Sequence, residues 1–341
     1  NPSNTTISTD DTLRTTSFVA GQYSIILTRS GIMPSYTFNV TVKKPFTTTW
    51  QTTTPNESIT IPTTGTGYNY AVNWGDGTIE TGLTGDATHT YATAGTYTVS
   101  VGRDFPRIYF NGAGDREKIK SIEQWGDISW SSMEDAFRSC TFLVSNATDA
   151  PDLSSVTSFV EMFRSATAFN GDLSNWQTDN VVNMSRAFQL ATSFNGDIST
   201  WNVQNVTNFS NMFRLATAFD ADISGWSINN TANVTMSSML SGASAFNYNL
   251  GNWNMSNVTG ATLMLANSGM STANYDATLA GWSTQTLKTN VFFGADGLTY
   301  CVAETERQKI IDDFGWTISG DSKDCTGVDF ITTWQTTTPS E

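Results

Sequence analysis

Between Phe163 and Trp253 the chain returns to one phrase, first as "AFNGDLSNWQTDNVVNMSRAF", then "SFNGDISTWNVQNVTNFSNMF", then "AFDADISGWSINNTANVTMSSML". Phe163, Phe188 and Phe213 are 25 residues apart, as are Trp176, Trp201 and Trp226, and Trp253 follows after 27. A unit this short cannot bury its own apolar face. It folds only by lending that face to a neighbour, so the period predicts a stack of units sharing one continuous core. Rings that recur in register become ladders along that core. Trp176, Trp201, Trp226, Trp253, Phe163, Phe188 and Phe213 are therefore read first as structural ladders and only second as stacking platforms for a ligand.

Two patterns alternate within a unit. Ile198, Trp201, Val203 and Val206 follow an L-x-x-L-x-L pattern and predict a short strand. In "NFSNMFRLATAF", Met212, Phe213 and Ala216 fall at helical spacing and predict a short helix. The expected architecture over residues 116–320 is a leucine-rich-repeat-type α/β solenoid of about six 25-residue strand-helix units. The amphipathic segment "AETERQKIIDDFGWTI" (303–318) is expected to cap its last open face.

Upstream the period changes to two. "ESITIP", "YNYAVNW" and "GTYTVSV" alternate polar and apolar residues, as half-buried strands do, and "WGDGT" supplies the tight turn between them. These features predict an all-β domain over residues 45–115. "GQYSIILTRSG" and "YTFNVTVK" predict a hairpin in residues 1–44, the end of a preceding β module. A longer repeat is also present: "FTTTWQTTTPNE" from Phe46 returns as "FITTWQTTTPSE" from Phe330. Residues 321–341 are accordingly read as a linker and the start of a further tandem unit.

Two family resemblances follow from these stretches. "WGDGT" at Trp74–Thr78 and "HTYATAGTYTVSV" at His89–Val101 resemble a PKD domain, with Trp in place of the usual Phe before the turn, and that resemblance implies an immunoglobulin-like sandwich over residues 45–115. "IKSIEQWGDISWSSMEDAF", "DAPDLSSVTSFVEMF", the "FNGDISTWNVQNVTNFSNMF" repeats and "YCVAETERQKIIDDFGWTI" resemble the BspA-type leucine-rich-repeat surface proteins of bacteria. That resemblance implies an exported, extracellular cell-surface protein used in attachment, and it carries no catalytic residues.

Charge narrows the partners. With 31 acidic and 17 basic residues the net charge is −14. A nucleic-acid partner needs a basic footprint, so that class is excluded. No apolar run reaches membrane-span length. Cys301 and Cys325 flank the cap segment and could pair in an oxidising compartment, which the spacing alone leaves open.

The remaining candidates are weighed against scaffolding. Asp172, Asp197 and Asp222 share one repeat slot; local hydrogen bonding is the simpler reading, and a row of calcium ions is the alternative. No cofactor is otherwise expected. The lone histidine, His89, lacks a nucleophile partner and is read as structural. Positions that vary between copies on the strand face, Gln177, Asn202, Gln204 and Ser227, are the binding candidates, since repeat stacks bind through an extended face. The expected function is a non-enzymatic adhesin segment, a tandem stalk whose partners are a protein or glycan surface ligand and neighbouring copies of the same unit. A filament or surface-layer subunit, or an accessory region of a larger secreted enzyme, are the alternatives.

Overall fold

The computed structural model describes residues 21–27 and 36–326. The second copy of the "TTWQTTTP" phrase, and with it the expected start of a further unit, lies outside the described residues.

Strands β1 (Gly21–Leu27) and β2 (Tyr36–Val42) pair antiparallel. Next come β3 (Phe46–Thr52), β4 (Glu57–Ile61), β5 (Asn69–Asn73), β6 (Ile79–Leu83), β7 (Ala87–Tyr91) and β8 (Gly95–Asp104). The period-two pattern acts directly in β3, where Phe46, Thr48, Trp50 and Thr52 are buried and the residues between them face outward. β4 and β7 form a two-stranded sheet of their own. β5 and β6 are joined by "WGDGT", a turn held by the Asn73 and Asp76 carbonyl and carboxylate oxygens on the Gly75 and Thr78 amides. Gly75 has φ +81°, and a side chain there would meet the Thr98 carbonyl at 2.5 Å, so the turn requires glycine.

The main sheet does not end with this segment. β9 (Ile119–Gln124) pairs with the free side of β3, and β10 (Val144–Ser145) pairs parallel with β9. The sheet order is β10-β9-β3-β8-β5-β6. This corrects the expected self-contained immunoglobulin-like sandwich: two of the six strands come from beyond residue 115. One apolar core runs from Phe46 to Trp316 without interruption.

The expectation of strand-helix units over residues 116–320 is overturned. Between β10 and residue 271 the regular elements are only β11 (Val234–Thr235), β12 (Val258–Gly260) and single parallel bridges such as Ser158–Asn183–Asn208. Among the described residues, α-helix occurs twice, both times after the repeats: α1 (Thr272–Ser283) and α2 (Glu304–Phe314). β13 (Phe292–Gly294), β14 (Thr299–Tyr300), β15 (Thr317–Ser319) and β16 (Ser322–Lys323) complete that end. The chain is thus mostly short strands and turns in several small sheets, and it is not a leucine-rich-repeat α/β solenoid.

The backbone explains why the helical spacing misleads. Each unit carries two residues of left-handed φ four positions apart: Glu161 and Ser165, Arg186 and Leu190, Asn211 and Leu215, Ser238 and Gly242. A chain that reverses hand every fourth residue cannot propagate i→i−4 bonds. Local bonds are instead i→i−3, from Met162 to Phe159 (3.1 Å) and from Ala166 to Phe163 (3.0 Å). The alternate amides point outward to the next unit. Phe159, Glu161, Phe163 and Ser165 donate to the carbonyls of Asn183, Ser185, Ala187 and Gln189, and the same four bonds recur from unit to unit. Every second amide is spent within the unit and every other one between units, so the ribbon satisfies its backbone without helix or sheet.

Left-handed backbone is costly for residues with a Cβ, by roughly 1–2 kcal/mol. Arg186→Gly should therefore raise the unfolding free energy, while Gly242→Ala should lower it by about 1–3 kcal/mol. At Gly242 a new Cβ would also meet Leu215 Cδ2 at 2.6 Å. Equal effects of the two changes in urea unfolding would contradict this account.

A charged clasp ties β4 to β9. Lys118 Nζ lies 3.1 Å from Glu57 Oε1 and 2.9 Å from Asp115 Oδ1. The Thr53 amide first, and then Lys118, hold the Glu57 carboxyl down from 4.5 to about 2. Because the folded value lies below the unfolded one, this stabilisation is complete above the ordinary glutamate range and is lost as pH falls toward 2. Glu57→Gln should flatten that part of the acid unfolding curve; an unchanged acid limb would count against the clasp.

Candidate functional site

The repeats bury the rings that recur in register. Phe163, Phe188 and Phe213 are 0% exposed and stack with ring centres 5.7 Å apart. Phe169, Phe194 and Phe219 form a second column beside them. Trp176, Trp201, Trp226 and Trp253 are buried too, with Trp176 stacked on Trp201 at 6.3 Å and Trp226 on Trp253 at 6.4 Å. Each indole after the first also ties two units together. Trp201, Trp226 and Trp253 donate Nε1–H to the carbonyls of Leu173, Ile198 and Ile223, at 3.0 to 3.1 Å. None of these rings is available to stack on a ligand.

The shared-slot aspartates are each closed into their own turn. Asp172, Asp197 and Asp222 accept the amides of Ser174, Ser199 and Ser224, all at 2.9 Å. The Ser174 amide and hydroxyl hold the Asp172 carboxyl below the ordinary range. Among the described residues, no three His, Cys, Asp or Glu side chains gather to hold a metal ion, so the calcium alternative gains no support from these positions. In the upstream sheet, His89 Nε2 meets Asp76 Oδ2 at 2.7 Å and the imidazole stacks on Trp74. Burial pushes the Asp76 carboxyl up, and the hydrogen bonds from His89 and Thr78 more than offset it, leaving the value lowered. The pair braces the turn.

What remains for recognition is the exposed side of the units. Gln177, Gln204 and Ser227 point outward. Asn202 does not share their freedom: half-buried, it donates to Asp179 Oδ1 at 2.6 Å and accepts the Gln204 amide at 3.1 Å. The structure does not gather these four into one pocket. Ser227 lines a concave site, a polar groove of about 320 Å³ over Trp226, shared with Ser224, Asn230, Asn252 and Asn254. The groove sits where the spacing lengthens from 25 to 27 residues. The extra residues are folded over buried Asn229, whose Oδ1 accepts the Thr231 and Ala232 amides. Sequence reasoning missed Asn230, Asn252 and Asn254; the change of spacing is the signal that marks them.

Comparison with known proteins reaches this same stretch. The family model described as "Mycoplasma protein of unknown function, DUF285" matches residues 131–235 and 229–299. The likeness is to the stacked units. No curated protein and no solved structure matches the chain. The two DUF285-like segments overlap at residues 229–235, which is the groove's extra turn, so that turn is where the two matches meet. They extend through α1 and stop at β14, short of α2.

At that end Cys301 and Cys325 are joined as a disulfide, with Cα atoms 4.9 Å apart. Cys140 is buried and unpaired, and burial pushes its thiol well up, as expected of a small core residue. No helix among the described residues is long and apolar enough to cross a membrane.

Proposed function

We propose that the chain is a segment of an exported, non-enzymatic bacterial surface adhesin, in which stacked units present a polar face for multivalent attachment. The observation that carries this reading is the division of labour within each unit. Aromatic residues and aspartates are committed to the core and the turns, and small uncharged polar side chains are left outward around the Ser227 groove. Amide and hydroxyl groups of this kind recognise sugars and peptide backbone through hydrogen bonds without needing charge. The Cys301–Cys325 disulfide supports an oxidising compartment. Reuse of the Phe46–Glu57 phrase at Phe330–Glu341 supports tandem presentation, and linked weak sites gain avidity through effective concentration.

The test is a binding screen of the full chain against glycans and extracellular-matrix proteins, followed by Ser227→Ala, Asn252→Ala and Asn254→Ala in combination. Saturable binding that weakens by about tenfold or more in the triple variant, with unchanged unfolding, is expected. Flat responses throughout, or a hit indifferent to the triple variant, would overturn the reading.

A further inference from the structure

A second cavity lies outside the repeat face, between the two helices. Helix α1 turns Ala273, Ala277 and Ala280 to one side, at the i, i+4, i+7 spacing that puts three side chains on one stripe. Because each is only a methyl group, the helices leave a groove of about 350 Å³ between them, closed on the other side by Val302 and Glu306. Val302 is 63% exposed and forms an apolar lip.

Two carboxylates border this space, and they differ in kind. Asp276 is saturated: its oxygens accept the amides of Cys301, Val302 and Ala303 at 3.0 to 3.2 Å, so the segment entering α2 neutralises it. Glu306 is not. Its Oε2 is buried and accepts no hydrogen bond. A buried acceptor without a donor costs free energy that a native structure normally avoids, and more when it carries charge. The cations on α2 and β16 are already paired. Arg307 pairs with Asp321, Lys309 with Asp313 and Lys323 with Glu304.

We propose that this groove binds the side chain of a lysine presented by a protein partner. An ammonium group is a compact charge on a flexible apolar stem; the stem fits alanine and valine walls and the head fits one unpartnered carboxylate oxygen. A guanidinium suits the site less, because its planar fork seeks two acceptor oxygens. A hard cation such as calcium needs roughly six to eight oxygen ligands, which these walls do not supply. The site is separate from the Ser227 groove and does not depend on the adhesin reading.

The experiment is an NMR titration of the full chain with the peptide acetyl-Gly-Lys-Gly-amide, followed through the methyl groups of Ala273, Ala277 and Val302. Saturable shifts at these methyls are expected. Glu306→Gln should weaken binding by about tenfold or more. Glu304→Gln, which alters a neighbouring exposed carboxylate, should leave binding within about twofold. The norleucine peptide, which keeps the stem and lacks the ammonium, should not bind. Shifts that survive Glu306→Gln, or that the norleucine peptide reproduces, would overturn the proposal, as would no saturable shift at all. Equal affinity for putrescine would overturn the assignment to a protein partner.

Discussion

Trp201→Ala is expected to destabilise the fold by about 3–5 kcal/mol, the range for removing a large buried aromatic side chain. Trp201 stacks on Trp176, lies 5.7 Å from Phe159 and 6.1 Å from Phe188, and is 3% exposed, so its removal opens a void lined on three sides by rings. A sharper comparison uses Phe. Trp201→Phe keeps most of the apolar volume but removes the indole donor from the Leu173 carbonyl, which keeps only the Trp176 amide, a loss of about 0.5–1.5 kcal/mol. Trp176 occupies the same slot one unit earlier, yet its Nε1 has no partner. Trp176→Phe removes that orphaned donor and should cost distinctly less. Urea midpoints of the two Phe variants are the measurement. If they fall equally, the indole hydrogen bonds do not bind the units together.

The second large effect is expected at the end of the stack. Arg307 meets Asp321 through two bonds, Nε to Oδ2 at 2.7 Å and Nη2 to Oδ1 at 2.8 Å, and Tyr275 adds its hydroxyl to Oδ2 at 2.9 Å. The carboxylate side chain is 1% exposed and the guanidinium 17%. Asp321→Ala leaves the guanidinium nearly buried with no counter-charge and should cost about 3–5 kcal/mol. Replacing both partners by leucine should recover much of that loss, because the penalty lies in the abandoned charge more than in the missing attraction. Thermal unfolding of the two single variants and the double variant decides the matter. A double variant as unstable as the sum of the singles would show the two residues acting independently.

Parts of this structure are legible in the sequence, and the boundary has a physical cause. The 25-residue spacing of Phe163, Phe188 and Phe213 is visible on the page, and those rings stand one above the next. Spacing reports which side chains face inward, and nothing more. Met162, Phe163 and Ala166 sit at helical intervals because a series of i→i−3 turns brings the same positions inward as a helix does. The hand of Glu161, Ser165, Leu190 and Leu215 leaves no such mark, because none of them is glycine; only Gly242 betrays the slot. Helix α1 was also open to reading, since Ser271 caps it and Tyr275, Leu279 and Trp282 line its buried side. The pairing of β9 with β3 was not, because it joins residues 69 to 77 positions apart. For recognition, the variable outward positions led to Ser227 but not to Asn252 and Asn254, which belong to the following unit and come alongside only when the units stack.

The four amide bonds that pass from each unit to the next also decide how the stack responds to pulling. They join each unit to its neighbour, so a load applied across the stack is carried by one junction after another. The weakest junction gives first, and the chain lengthens in steps of one unit while the remaining core stays closed. Beyond the last unit, the disulfide spans 24 residues. It withholds that length from extension and keeps α2 fastened however many units have opened.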